Sequence, residues 1–252
     1  MARSGKRGCD AVKNPLLFPG QPALTGYAGK DAGMKRFITF EGIEGCGKTT
    51  QIRLAETWFR ERDLPVLATA EPGGTPLGDR IREILLNRGS LTIGAEAELL
   101  LFAAARAQHV REIIFPALEA GRWVLCDRFS DATLAYQGFG RGLDIGFIRT
   151  LNAFSSPTLT PERTFLFDLP VETGLARAEQ RAAGMRPEAA EDRFEREEKA
   201  FHLRIQEGYR SLAAAEPERY RIIEGGADVE TVRREVCRHL TALLEKSPAG
   251  GK

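Results

Sequence analysis

A glycine-rich segment followed by lysine and threonine, Gly42–Thr49, carries the most specific chemistry in the sequence. It has the sequence GIEGCGKT and fits the pattern GxxxxGK[ST] without a mismatch. Glycines at this spacing let backbone N–H groups wrap a phosphate, and a following helix N-terminus adds partial positive charge. Lys48 is placed to reach the β- and γ-phosphates of a nucleotide, and the Thr49 hydroxyl to ligate Mg²⁺. The predicted triphosphate-binding residues are Gly42, Gly45, Cys46, Gly47, Lys48, Thr49 and Thr50.

Asp127 and Arg128 follow directly after the apolar run Trp123–Cys126 (WVLC). Such runs are typical of buried parallel strands, and ligands bind at the carboxyl ends of these strands in open α/β sheets. Asp127 therefore suits the role of holding Mg²⁺, although aspartate is also common at strand ends because it initiates turns. Arg128 places a guanidinium at the same edge, where it can clamp an acceptor phosphate and offset charge in the transition state.

Phe102 and Arg106 stand four residues apart in a segment with helical character, so they share one face of the predicted helix. That face offers a ring to stack on a pyrimidine and a cation for its oxygen or for a phosphate. Without other motifs, a buried phenylalanine beside a solvated arginine is the simpler explanation of the pair.

Strands and helices alternate along the chain from residue 36. The predicted strands are Arg36–Glu41, Pro65–Ala70, Trp123–Cys126, Thr164–Phe167 and Tyr220–Ile223. The predicted helices include Lys48–Arg62, Ala95–Ala120 and Val229–Lys246, and Pro116 marks a point where the second could kink. This alternation predicts an α/β fold of the P-loop NTPase type: a three-layer sandwich with a central parallel sheet of about five strands, helices on both faces and a small lid.

The predicted domain organisation is a single P-loop domain, residues 34–246, between two irregular ends. Residues 1–33 have no periodicity and are expected to be a disordered extension, or an over-long start with Met34 as the working initiator. Residues 247–252 are expected to be a disordered tail. Inside the domain, the charged segment Arg181–Arg193 has no apolar face, so we expect a mobile lid there.

The composition of the 252 residues excludes several other classes of function. Basic and acidic residues nearly balance, 36 against 35, and no basic stripe suggests a nucleic-acid surface. No apolar run approaches the roughly 20 residues that cross a membrane. The four scattered cysteines indicate reduced thiols in a cytoplasmic protein rather than disulfides or a zinc site.

Several motifs in order distinguish between the classes of P-loop protein. A GTPase would carry an NKxD guanine motif, which the sequence lacks. From about Met34 to the last helix, the chain instead resembles the bacterial thymidylate (dTMP) kinases. The resemblance is carried by FEGIEGCGKTTQ (Phe40–Gln51), EPGGT (Glu71–Thr75), LFAAARAQHV (Leu101–Val110), DRFSDATLAYQGFGRG (Asp127–Gly142) and DRFE (Asp192–Glu195).

The resemblance implies roles for the residues around the phosphate acceptor. Glu44, an unusual carboxylate inside a phosphate loop, would accept a hydrogen bond from the 3′-hydroxyl of the acceptor sugar. Tyr136 would pack against the sugar and disfavour a 2′-hydroxyl, while Thr133 and Gln137 would face the base. The predicted dTMP-binding residues are Glu44, Pro72, Arg82, Phe102, Arg106, Arg128, Thr133, Tyr136 and Gln137. Arg82 is explained almost as well as an ordinary surface residue of a helix.

The loop itself supplies no arginine for the transferring phosphoryl group, since Gly45 follows Glu44. This matches the bacterial subtype in which a lid arginine has that role, and Arg181, Arg186 and Arg193 are the candidates, with Arg186 preferred. The predicted catalytic residues are Lys48, Arg128, Arg186 and Glu44, and the predicted Mg²⁺ ligands are Thr49 and Asp127.

Two positions depart from the family pattern on the acceptor side. Ala70 stands where many relatives have arginine before EPGGT, and Ala132 stands where the DRF block usually has serine. Neither removes a group that phosphoryl transfer requires, so they bear on acceptor affinity and on strictness for thymine.

The sequence thus predicts direct in-line transfer of the γ-phosphoryl group of ATP, bound with Mg²⁺, to dTMP. The resemblance also implies a homodimer, to which the apolar helix Ala95–Ala120 could contribute if it is not simply buried. The alternatives are a kinase for another small acceptor and a nucleotide-binding protein without useful turnover. Intact Lys48, Asp127 and Arg128 argue against the second of these.

Overall fold

A five-stranded parallel sheet forms the centre of the protein, in a computed structural model that describes residues 35–86, 91–183 and 193–246. The spatial order of the strands is β2-β3-β1-β4-β5, and every neighbouring pair is parallel. The prediction of a parallel sheet of about five strands is confirmed. The strands are β1 (Phe37–Glu41), β2 (Val66–Ala70), β3 (Trp123–Asp127), β4 (Arg163–Asp168) and β5 (Tyr220–Glu224).

Both faces of this sheet are covered. Successive side chains of a strand point to opposite faces, and all five residues of β1 are buried. The flanking strands β3 and β4 are buried over their central residues as well. The edge strand β5 exposes Ile222, so the covering helices do not extend over the whole of this strand. Uninterrupted apolar runs were therefore a correct signal of strands enclosed between layers of helices.

The helices of the described part of the chain alternate with these strands, as predicted. They are α1 (Lys48–Arg60), α2 (Pro76–Leu86), α3 (Ala95–His109), α4 (Phe115–Glu119), α5 (Ser130–Thr133), α6 (Ile145–Ser155), α7 (Val171–Ala183), α8 (Lys199–Ala215) and α9 (Val229–Lys246). Two π-helical segments, Val110–Ile114 and Leu134–Gly140, follow α3 and α5, and a 3₁₀ turn, Arg193–Arg196, precedes α8. Across the described ranges, no helix combines the length and apolar character needed to cross a membrane.

The long predicted helix Ala95–Ala120 is present, but its distortion begins before the proline. Val110–Ile114 is π-helical, and the Phe115 N–H bonds to the Val110 carbonyl five residues earlier. The next residue, Pro116, lacks an N–H, and its ring needs space near the preceding turn. The wider turn provides that space, so the proline is accommodated by a π segment directly before it.

Several sequence predictions concern residues that the structure does not describe. The N-terminal extension 1–33, Met34 and the tail 247–252 all lie outside the described residues, as do residues 184–192 of the predicted lid, including Arg186. Of the other lid arginines, Arg181 belongs to α7 and Arg193 begins the 3₁₀ turn.

Candidate active site

The glycine-rich loop lies between β1 and the first turn of α1, at the carboxyl edge of the sheet. Gly45 has a φ of 67°, and a Cβ at this position would come within 2.0 Å of the Gly174 carbonyl oxygen. Gly47 has a φ of 95°, and a Cβ there would point into open space. Gly45 therefore permits close packing against α7, while Gly47 leaves room for a phosphate beside the N-terminus of α1.

The ammonium group of Lys48 is folded into this loop. Its Nζ donates to the carbonyl oxygens of Gly42 at 3.0 Å and Ile43 at 2.9 Å, and it lies 3.3 Å from Cys46 Sγ. The side chain is buried, so its charge is solvated by the loop itself. Phosphate oxygens can replace these acceptors without moving the charge far, as a role on the β- and γ-phosphates requires.

Thr49 and Asp127, the two predicted Mg²⁺ ligands, lie side by side. The Thr49 hydroxyl donates to Asp127 Oδ2 at 2.9 Å, which joins the loop to the end of β3. No group of three or more histidine, cysteine or acidic residues suited to a metal occurs in the described ranges. One hydroxyl and one carboxylate fit Mg²⁺ nevertheless, because this ion takes most of its ligands from water and substrate phosphates.

Arg128 connects the phosphate loop with the acceptor side. Its backbone is left-handed, with a φ of 69°, which turns the side chain back towards the loop. Nη1 donates to the Gly42 carbonyl at 2.8 Å and to the Tyr209 hydroxyl at 3.2 Å, and Nη2 donates to Glu44 at 3.1 Å. The guanidinium also lies over the Tyr136 ring, 4.7 Å from its centroid. The cation is thereby held in one position beside the loop.

Glu44 is buried but remains charged. Its Oε1 accepts hydrogen bonds from Arg128 and from the Tyr136 hydroxyl, and its Oε2 lies 3.3 Å from His202 Nδ1. Burial alone would raise the pKa of this carboxyl, but His202 and the charges of Arg128 and Lys48 lower the pKa to about 2. Glu44 is therefore an anion at neutral pH that can accept a hydrogen bond from a hydroxyl.

Arg106 is buried rather than solvated, so the simpler explanation of the Phe102–Arg106 pair does not hold for the arginine. Its Nε donates to Glu71 at 2.8 Å, Nη1 to Asn152 at 2.7 Å and Nη2 to the Thr133 hydroxyl at 2.8 Å. A buried guanidinium needs these partners, because an unpaired charge is costly in the interior. The three donors fix the plane of the guanidinium, which lines the pocket described next.

A single open pocket brings the acceptor-site predictions together. All nine predicted dTMP-binding residues line it: Glu44, Pro72, Arg82, Phe102, Arg106, Arg128, Thr133, Tyr136 and Gln137. Arg82 is exposed, lines this pocket and donates to the Pro72 carbonyl at 2.9 Å. Ala132, one of the two departures, also lines the pocket, whereas Ala70 pairs with Asp127 at the sheet edge.

Other pocket residues had no role in the sequence predictions. Glu71 and Phe194 both line the pocket and belong to motifs, EPGGT and DRFE, that had been recognised as blocks. The Phe194 ring lies 6.2 Å from that of Phe102 and 5.6 Å from that of Tyr136. It therefore closes the aromatic wall on which a base could stack.

Three polar residues on one face of α8 contact acidic residues of the site, and no motif in the sequence indicated them. They are His202, Gln206 and Tyr209, at helical spacings of four and three, and all three are buried. The Tyr209 hydroxyl donates to Glu41 at 2.8 Å, and Gln206 donates to Asp168 at 2.8 Å. Burial raises the pKa of Glu41 to about 8, so this carboxyl is largely neutral at pH 7.

The two described lid candidates bind other parts of the protein. Arg181 pairs with Glu195 at 2.7 Å, and Arg193 pairs with Glu98 and donates to the Leu85 carbonyl. Gln137, predicted to face the base, donates its amide to the same Glu98 at 2.7 Å. Glu98 thus accepts hydrogen bonds from one pocket residue, Gln137, and from one lid candidate, Arg193. The spacing of these residues in the sequence did not indicate this contact.

Comparisons with known proteins agree with this geometry. The profile of the thymidylate kinase family matches residues 40–236. A thymidylate kinase of Syntrophus aciditrophicus is 58% identical over 86% of this chain and 99% of its own, and one of Geobacter sulfurreducens is 53% identical over 85% and 99%. The crystal structure of an Ehrlichia chaffeensis thymidylate kinase is 34% identical, with a TM-score of 0.64 over 81% of this chain and 97% of its own.

Proposed function

Because the chain belongs to the thymidylate kinase family, we propose that it transfers the γ-phosphoryl group of ATP to dTMP and releases ADP and dTDP. The observation that carries this proposal is the single pocket lined by all nine predicted acceptor residues. Two of them, Glu44 and Arg128, also belong to the phosphate-loop network. The acceptor phosphate can therefore lie next to the end of the triphosphate, as in-line transfer requires.

The protein's own groups act by positioning and by neutralising charge. The phosphate loop and Lys48 bind the triphosphate, and Arg128 binds the acceptor phosphate and offsets charge as the phosphoryl group moves. Thr49 and Asp127 are suited to hold Mg²⁺, which when bound offsets further phosphate charge. Glu44 and Tyr136 orient the acceptor sugar, and Phe102 and the guanidinium of Arg106 orient the base. Arg186 remains our choice for the lid arginine.

The proposal is tested by ADP release from purified protein with ATP and Mg²⁺. The acceptors to compare are dTMP, dUMP, UMP, dCMP, AMP and none, with EDTA as the metal control. We expect rapid release with dTMP, slower release with dUMP, and background rates with the others or with EDTA. Preference for another nucleotide would reject dTMP as the acceptor, and ATP loss that does not depend on an acceptor would reject the kinase assignment.

Replacing Tyr136 with phenylalanine is expected to weaken discrimination against a 2′-hydroxyl. The ring stays, but the hydroxyl that donates to Glu44 is lost, and space opens beside the sugar. The preference for dTMP over its ribonucleotide counterpart, as a ratio of kcat/KM, should fall about tenfold. Tyr220→Phe is the matched control. This tyrosine is also buried, but it begins β5 and does not line the pocket. An unchanged preference in Y136F would contradict the assigned role.

The proposed assembly is a homodimer, and an exposed apolar surface supports it. Helices α3 and α6 pack against each other, and they expose Leu100, Phe147 and Phe154, the last at 80% of its surface. Large exposed aromatic residues on adjacent helices are typical of an interface with another protein. A second copy of the chain can cover them through a symmetric contact.

Phe154→Glu should therefore weaken the dimer about 100-fold or more, because each interface would bury two unpaired carboxylates. Light scattering after size exclusion should give the mass of a dimer for the unaltered chain and of a monomer for the variant. Ile222→Glu is the control, because it places the same charge at another exposed apolar residue, on the edge strand β5, and this variant should remain dimeric. A monomeric unaltered chain, or a dimeric F154E variant, would rule out this interface.

The proposed location is the cytoplasm, where ATP is available. The described cysteines Cys46, Cys126 and Cys237 are free thiols, and two of them are buried. A reducing compartment accommodates such residues without risk of disulfide formation.

A further inference from the structure

His202 is a fully buried, polar side chain with no role in the mechanism described above. Its Nδ1 faces Glu44 Oε2 at 3.3 Å, which is longer than a normal hydrogen bond, and neither atom has a hydrogen-bond partner in the described part of the chain. No hydrogen-bond acceptor for its Nε2 occurs in the described part of the chain. A phenylalanine would fill the same space without burying polar atoms, so the imidazole needs a reason to be there.

Glu44 has one well-held oxygen and one loosely held oxygen. Oε1 accepts from both Tyr136 and Arg128, whereas Oε2 faces only the imidazole among the described residues. A carboxylate held at one oxygen can still turn about its last bond. A donor at the second oxygen restricts that rotation and fixes the lone pairs that remain for a substrate hydroxyl.

We propose that His202 is a positioning residue that holds Glu44 in the orientation that accepts the 3′-hydroxyl of the acceptor sugar. This inference rests on the proposed function, in which Glu44 binds that hydroxyl. His202 does not touch the substrate; it acts through Glu44. Its long contact shortens when the acceptor occupies the pocket, as hydrogen bonds in empty active sites commonly do.

The arrangement of the ring indicates which nitrogen carries the proton. With the proton on Nδ1, the imidazole can donate to Glu44 Oε2, and it leaves a lone pair rather than an N–H buried at Nε2. With the proton on Nε2, a buried N–H would have no acceptor in the described part of the chain, and Glu44 would face a lone pair. The geometry therefore requires a donor at the Nδ1 position.

Three substitutions separate this role from simple packing. His202→Phe keeps a ring and removes both nitrogens. His202→Asn keeps an N–H donor at the Nδ1 position, the same number of bonds from Cα, and His202→Gln moves the donor to the Nε2 position. Thermal unfolding of each variant establishes that it is folded before its kinetics are compared.

The readout is kcat/KM for two acceptors, dTMP and its 3′-deoxy analogue, with KM for ATP measured in parallel. For dTMP, we expect a loss of about tenfold to a hundredfold in H202F and H202Q, and recovery to within about threefold of the unaltered enzyme in H202N. For the 3′-deoxy analogue, all four proteins should be nearly equal, because no 3′-hydroxyl is present to be positioned. KM for ATP should not change.

Equal losses for both acceptors in H202F would assign His202 to packing alone and overturn the proposal. An asparagine variant as impaired as the phenylalanine variant would overturn the requirement for a donor at Nδ1. Failure of the unaltered enzyme to use dTMP would instead reject the proposed function itself. The acceptor comparison described above detects that failure without any variant of His202.

Discussion

Replacing Lys48 with methionine is expected to lower kcat by about 10³-fold at saturating ATP and dTMP. Methionine keeps most of the volume of the side chain and removes the ammonium group that the loop carbonyls now surround. In the proposed mechanism, that ammonium lies where charge moves between the β- and γ-phosphates, so its effect is larger in the transition state than in the ground state. The loss should therefore appear in kcat more than in KM for ATP.

The matched control for this prediction is Lys199→Met, which removes an exposed ammonium that pairs, within the described part of the chain, with the exposed Glu172. Its kcat should stay within about twofold of the unaltered enzyme, since surface ion pairs contribute little. A decrease of less than tenfold in K48M, measured on folded protein, would mean that another cation neutralises the transferring phosphoryl group.

Replacing Arg106 with methionine is expected to lower the free energy of unfolding by about 3–5 kcal/mol. The Arg106 and Glu71 side chains are 2% and 4% exposed, and removal of the cation leaves a buried carboxylate with one fewer partner. It also leaves Asn152 and the Thr133 hydroxyl without their buried donor. Equilibrium unfolding in urea measures the loss, and the midpoint temperature should fall by about 10 °C.

A second substitution identifies the cause of that instability. Arg106→Met combined with Glu71→Gln removes the uncompensated charge, so the double variant should recover part of the lost stability despite carrying an additional change. Arg80→Met is the control, because Arg80 and Glu83 form an ion pair in which both side chains are exposed. Its free energy of unfolding should fall by no more than about 0.5 kcal/mol. If R106M costs no more than R80M, the buried pair does not stabilise the fold.

Local motifs explain why most of the pocket could be predicted. The segments Gly42–Thr49, Glu71–Thr75 and Asp127–Gly142 each place several functional groups within a few residues. Their relative positions then follow from one rule, since the carboxyl ends of parallel strands meet at one edge of the sheet. The roles of the individual acceptor residues came from the resemblance to the thymidylate kinases, which requires no knowledge of side-chain packing.

The supporting contacts could not be predicted in this way, because they join distant parts of the chain. Tyr209 and its partner Glu41 are 168 positions apart, and Arg193 and Glu98 are 95 apart. No spacing or periodicity in a single sequence indicates which buried acid will meet which donor. His202, Gln206 and Tyr209 do share a helical face, but this spacing alone resembles that of any core-facing helix.

The inward face of α8 also makes assembly of the site a cooperative property. His202, Gln206 and Tyr209 hold Glu44, Asp168 and Glu41 from a single helix. Local opening of α8 would therefore release all three acids in one event rather than one at a time. The fraction of molecules with a complete site then equals the fraction in which this helix is closed. Mutations on the outer face of α8, far from any substrate, would consequently alter turnover by changing how much of the enzyme is competent.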